Sequence, residues 1–117
     1  CSGSGTWRRS PDAKYRLTAN QLKTIEKAQA EILDIAAKHV ADNGRIIYMT
    51  CSVLPEENER QIERFLQNHL DFSIVNMKNL WERKLEQTYP FSETRWLKCS
   101  PLLTGTDGFF VCALQKK

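Results

Sequence analysis

The stretch Arg45-Ile46-Ile47-Tyr48-Met49-Thr50-Cys51-Ser52-Val53-Leu54-Pro55-Glu56-Glu57-Asn58-Glu59 decides the fold. Ile46-Ile47-Tyr48-Met49 is a β-branched and apolar run of strand length, and it predicts a short buried strand. Pro55 suits the first turn of a helix, and Glu56, Glu57 and Glu59 lie where that helix is positive. Those three acids read most simply as charges complementing the helix dipole. A helix precedes the strand. Thr18 and Gln21 have capping-box spacing, and Leu22, Ile25, Ala28, Ile32, Ile35, Ala36 and Val40 recur at helical spacing as a core stripe. Asn43-Gly44 ends it, with glycine expected in the left-handed conformation. Helix, short connection, buried strand and helix again is the α/β pattern. It delivers Cys51 to the carboxyl end of a strand and the start of a helix, a position well sited for a nucleophile.

Outward from this centre, Ile62, Phe65, Leu66 and Leu70 are expected to face inward, and Phe72–Val75 to form a second strand. Residues 76–100 show no clean period and read as a long irregular connection. Thr104-Gly105-Thr106-Asp107-Gly108 turns the chain into a last strand, with Lys116-Lys117 as a frayed end. The predicted architecture has three strands, near 45–50, 72–75 and 108–115, and two main helices, near 19–41 and 55–68.

At 117 residues the chain supports one domain and one modest core. No apolar run approaches the roughly 20 residues that span a bilayer, so a cytoplasmic protein without membrane contact is expected. Seventeen basic against 14 acidic residues permit a nucleic-acid partner without arguing for one. The cluster Arg8, Arg9, Lys14 and Arg16 beside Trp7 and Tyr15 is more pointed, although a solvated loop explains it equally well. The four cysteines, at 1, 51, 99 and 112, include no Cys-x-x-Cys pair. A metal site and a disulfide framework are therefore both disfavoured. Cys112 reads as a small core residue, and Cys99 has no assignment. The opening Cys1-Ser2-Gly3-Ser4-Gly5 resembles a loop whose strand is missing, and we expect an internal or carboxy-terminal piece of a larger protein.

Three segments carry a family resemblance. Cys1-Ser2-Gly3-Ser4-Gly5-Thr6-Trp7-Arg8-Arg9-Ser10-Pro11 resembles the first cysteine motif of the Sun/RsmB (Fmu) family of RNA cytosine-C5 methyltransferases. Thr50-Cys51-Ser52-Val53-Leu54-Pro55-Glu56-Glu57-Asn58-Glu59 is similar to its second, and Asp107-Gly108-Phe109-Phe110 to its terminal strand. The resemblance implies that residues 1–117 form the carboxy-terminal part of a Rossmann-like methyltransferase domain, with the last strand antiparallel. It implies Cys51 as the nucleophile that adds to cytosine and Cys1 as the thiol assisting release of methylated rRNA or tRNA. Arg8 and Arg9 become candidate RNA contacts, with a fold-supporting role tying the loop to an acidic neighbour as the alternative. Trp7 and Tyr15 are expected in the core. S-adenosylmethionine is the implied cofactor, its site mostly upstream of these residues, and the chain alone is expected to be inactive. An uncovered sheet edge and helix face predict self-association. The rival from another class is a non-catalytic RNA-binding module on the same scaffold. A thiol-redox protein ranks third, because no resolving cysteine is close in sequence.

Overall fold

The computed structural model describes residues 1–117. After a short turn at Ser4–Thr6, the elements in chain order are α1 (Ala13–Arg16), α2 (Ala19–His39), β1 (Arg45–Thr50), α3 (Glu59–Asn68), β2 (Phe72–Ile74), α4 (Met77–Leu85), β3 (Leu97–Cys99), α5 (Pro101–Thr104) and β4 (Phe109–Lys116). β4 is the centre of the sheet. β1 pairs along one side of it, Arg45 opposite Gln115 through Thr50 opposite Phe110. β2 and β3 share the other side, Phe72 opposite Lys116 and Leu97 opposite Val111. All three run antiparallel to β4, so β1 and β2 are parallel to each other, with α3 as their crossover.

The main core lies between the sheet and helices α2 and α3. It holds Leu33, Ala37, Ile62, Phe65, Phe72, Trp96, Phe110, Cys112 and Leu114. Phe65 packs edge-on against Phe72 with ring centroids 5.1 Å apart. Burial pushes the Cys112 thiol up to about 12, which suits the packing role read from its apolar neighbours. On the α2–α3 contact, Asp34 meets Arg64 at 3.3 Å and His69 Nε2 at 3.0 Å. Partial burial opposes the charge on Asp34, but these partners outweigh it and hold the carboxyl below its usual range.

Several expectations are corrected. The 76–100 connection contains α4 and β3, built on a second small core of Met77, Tyr89 and Ala113 with Trp81 and Phe91 beside it. Asn76 caps α4 by accepting from the Asn79 N–H at 3.0 Å. The sheet thus has four strands rather than three. α3 begins at Glu59 rather than Pro55, because Asn58 (φ −115°, ψ −99°) is not helical. After α2 the left-handed residue is Asn43, φ 61°. Gly44 serves close approach instead, since a Cβ there would lie 2.6 Å from the Ala41 carbonyl oxygen. Lys116 belongs to β4 and pairs with Asp42 at 3.1 Å.

The predicted inward faces are only partly covered. Ile32, Ile35, Ile47, Met49 and Leu70 are all at least half exposed or close to it. β1 is one edge of the sheet, and a cleft of about 370 Å³ runs between it and α2, lined by Ile32, Ala36, Ile47 and Met49 among others. The strand is therefore buried on one face rather than two. Leu70 sits in the short connection between α3 and β2, its side chain exposed.

Candidate active site

Both cysteine loops and the Asp107-Gly108 turn meet at the carboxyl end of β1. Gly5 N–H donates to the Cys51 carbonyl at 2.8 Å, and Gly108 N–H donates to the Gly5 carbonyl at 2.8 Å. The three backbones approach so closely that glycine is required at two positions. A Cβ on Gly5 would lie 2.2 Å from the Gly108 oxygen, and one on Gly108 would lie 2.6 Å from the Gly5 Cα. This interlock brings two thiols from fifty residues apart to an Sγ–Sγ distance of 3.0 Å. Both are free thiols, Cys1 exposed and Cys51 half-buried.

Beneath the thiols lies a buried polar network. Glu57 has no exposure to water. Its Oε1 accepts from Ser2 N–H at 2.7 Å and Gln29 Nε2 at 3.1 Å, and its Oε2 from the Ser2 and Ser52 hydroxyls, each at 2.5 Å. Burial alone would raise the carboxyl, but the hydrogen bonds from Ser2, Ser52 and Gln29 prevail and hold it below its usual range. Asn58 is equally buried. It accepts from Thr50 Oγ1 at 2.5 Å and donates to the Ser52 carbonyl at 2.8 Å. Ser4 Oγ lies 2.9 Å from Ser52 Oγ and accepts from the Val53 N–H at 3.0 Å. Tyr48, at the far side, donates its hydroxyl to the Glu57 carbonyl at 2.6 Å.

The reading of Glu56 and Glu57 as a helix-end charge pair divides here. Glu56 stays on the surface and pairs with Arg60 at 3.0 Å. Glu57 turns inward, because residues 55–58 form a turn ahead of α3, with Glu57 N–H on the Leu54 carbonyl at 3.1 Å. Sequence reasoning read Glu57 only as a helix-dipole charge and passed over Ser2, Ser52, Asn58 and Gln29. The available signal was the repeated dipeptide, Cys1-Ser2 and Cys51-Ser52, which offers one hydroxyl beside each thiol.

Arg8 and Arg9 both meet Asp107 through Nε, at 2.6 and 2.9 Å. They do tie the first loop to an acidic neighbour, and two guanidiniums against one carboxylate leave net positive charge at the rim. Their side chains remain 46 and 70 % exposed. Tyr15, expected in the core, is 80 % exposed, with the Lys14 ammonium 5.0 Å from its ring centroid. It lies on the four-residue α1, which has no buried residue. Trp7 is half-buried, its indole N–H shielded and without a partner.

A cavity of about 550 Å³ opens beside Cys1 and Ser2, between α1 and the start of α2. Its lining carries Arg16, Asn20 and Gln21 but no carboxylate. A nucleoside cofactor's ribose is usually held by an acidic side chain, so these residues do not by themselves make up an S-adenosylmethionine site. No helix of the chain is long and apolar enough to cross a membrane.

A profile of the family described as 16S rRNA methyltransferase RsmB/F matches residues 1–115. The probable ribosomal RNA small subunit methyltransferase B of Bacillus subtilis (strain 168) is 37 % identical over 117 residues, all of this chain and 26 % of that protein. The ribosomal RNA small subunit methyltransferase B of Escherichia coli O17:K52:H18 is also 37 % identical, over all of this chain and 24 % of its own length. The chain thus spans about a quarter of the curated relatives it matches. Among solved structures, PH0851 superposes with a TM-score of 0.83 at 33 % identity, over 99 % of this chain and 25 % of that one. NSun6 from Pyrococcus horikoshii with SFG, at 19 % identity, shares the fold with a TM-score of 0.67 over 86 % of this chain and 24 % of its own.

Proposed function

Because the chain belongs to the RsmB/F family of 16S rRNA methyltransferases, we propose that the protein carrying it methylates carbon 5 of a cytidine in ribosomal RNA, with Cys51 as nucleophile. Carbon 5 of cytosine is a weak nucleophile. Addition of the Cys51 thiolate to carbon 6 forms a C–S bond and moves an electron pair toward carbon 5, which is then rich enough to be alkylated. This is covalent catalysis, one difficult step divided into easier ones. Loss of the carbon 5 proton afterwards lets the C–S bond break, restoring the 5,6 double bond and freeing the thiolate. Cys1 assists this release. The target base has to be unstacked or single-stranded to reach Cys51. The methyl donor in this reading is S-adenosylmethionine, held by parts of the parent protein outside these 117 residues. Transfer RNA remains the alternative substrate class.

The observation that carries the reading is the 3.0 Å approach of two thiols from separate loops. A passive RNA-binding module has no use for such a pair. The test is to incubate the complete protein with RNA containing 5-azacytidine and look for a covalent adduct on a denaturing gel. We expect an adduct that is lost in Cys51→Ala and kept in Cys1→Ala. No adduct from folded, cofactor-loaded protein on ribosomal and transfer RNA would favour the non-catalytic RNA-binding reading.

A further inference from the structure

We propose that Glu57 is the positioning residue of the two-thiol centre and sets the separation of Cys1 from Cys51; the inference rests on their reading as release thiol and nucleophile. The two cysteines lie in different loops, and each is followed directly by a serine. Both serine hydroxyls, and the Ser2 N–H, converge on the one carboxylate of Glu57. Other joins between the loops reach the first loop further along, at Ser4 and Gly5. Glu57 is the side chain that fixes the residue next to Cys1.

The anchor is itself rigidly held. A carboxylate fully removed from water is costly unless its oxygens are satisfied, and four donors satisfy this one. Bonds to an ionised acceptor are shorter and stronger than neutral ones. Tyr48 pins the Glu57 carbonyl to β1 at 2.6 Å, and Gln29 brings in α2 at 3.1 Å. The distance between the thiols is thus referred to the sheet and the long helix rather than to two surface loops. Removal of the carboxylate frees the Cys1 end first, since Ser2 takes two of the four bonds, whereas the Cys51 loop keeps Asn58 and Gly5.

The test reads thiol geometry without RNA. The complete protein is treated with glutathione disulfide. The Cys51 thiolate attacks it and releases one glutathione thiolate, and the Cys1 thiolate then attacks the Cys51 sulfur and releases the second. The protein gives up two thiol protons and two electrons, and one glutathione disulfide becomes two glutathiones. Intact mass follows closure of the internal disulfide. We expect Glu57→Ala to slow closure about tenfold or more, with glutathione held on the protein meanwhile. Glu57→Gln, which keeps the shape and one acceptor oxygen, should recover much of the rate. Ser2→Ala removes one of the two bonds from residue 2, leaves the buried acid its three other donors, and gives the answer if Glu57→Ala does not fold. Wild-type closure rates in folded Glu57→Ala and Ser2→Ala would overturn the proposal.

A second readout separates this inference from the function it rests on. On unmodified RNA with methyl donor, Glu57→Ala should accumulate covalent protein–RNA complex, as a release defect does, with kcat reduced more than KM is raised. Slowed closure, combined with no azacytidine adduct even in the unsubstituted protein, would keep the positioning role and sink the nucleophile assignment. Unchanged release kinetics with a wild-type adduct would sink the positioning role alone.

Discussion

A methyl group added at Gly5 would meet the Gly108 carbonyl oxygen at 2.2 Å and that of Cys51 at 2.7 Å. Both are backbone atoms, held by the hydrogen bonds that join the three loops, so no side-chain rotation relieves the clash. Gly5→Ala should cost about 1–3 kcal/mol in stability by overpacking and push the two thiols apart. Thermal unfolding measures the first effect, and an unchanged midpoint would contradict it. Arg8 and Arg9 make a gentler case. Exposed ion pairs contribute only about 0–1 kcal/mol, so replacing both with alanine should scarcely move the melting midpoint. If they touch phosphate, RNA affinity falls and the salt dependence weakens by about one unit of log–log slope per contact. A loss of stability with unchanged RNA affinity would leave only the tie to Asp107. At this scale the sequence shows where Cys51 lies, because a strand and a helix bracket it. Glu57 is illegible there, since its role depends on an inward turn at residues 55–58 that a run of three acids disguises as a helix start.

Among the elements, α2 is the most legible. Thr18 accepts from the Gln21 N–H at 3.2 Å, and the Gln21 side chain accepts from the Thr18 N–H at 2.9 Å. Thr18→Ala should therefore cost about 1 kcal/mol, to be measured by urea unfolding; a value near zero would mean that packing alone defines the helix start. Periodicity correctly found the helix and then assigned too much of it to the core. Leu33 and Ala37 are buried, while Ile32 lines the open cleft beside β1 and Ile35 is exposed. A repeat reports which residues are apolar, and burial depends on what the neighbouring elements cover. The 76–100 region fails for the opposite reason. Its small core rests on aromatic rings at irregular spacing, Trp81 to Tyr89 at 5.9 Å and Tyr89 to Phe91 at 5.4 Å. β3, at three residues, is too short to show alternation.

Across the whole molecule, the longest open edge of the sheet belongs to β1, which is bonded to β4 on its inner side alone. β1 presents its outer backbone groups along an edge flanked by Ile47 and Met49, with Ile32 across the cleft. Exposed edges with apolar flanks pair with other chains unless covered. We propose that the isolated 117-residue chain self-associates through this edge. Sedimentation velocity should show a concentration-dependent shift to larger species, reduced by Ile47→Lys; a single monomer peak at all concentrations would contradict it. The α/β class and the antiparallel last strand were accessible through sequence pattern and family resemblance together. The fourth strand and the extent of the open face were not, because both depend on contacts between segments far apart in the chain.

The place of β4 in the sheet has a consequence for how the protein is made. β1, β2 and β3 leave the ribosome before the strand to which all three bond. Until Phe109–Lys116 emerges, each waits with the side that faces β4 open, while α2 can already pack against α3 and Trp81 against Tyr89. Within these residues the sheet is therefore completed by the last of its four strands, and a stop codon ahead of Phe109 would remove the strand to which the other three bond. Chaperone dependence during translation should accordingly concentrate in the interval before those eight residues appear.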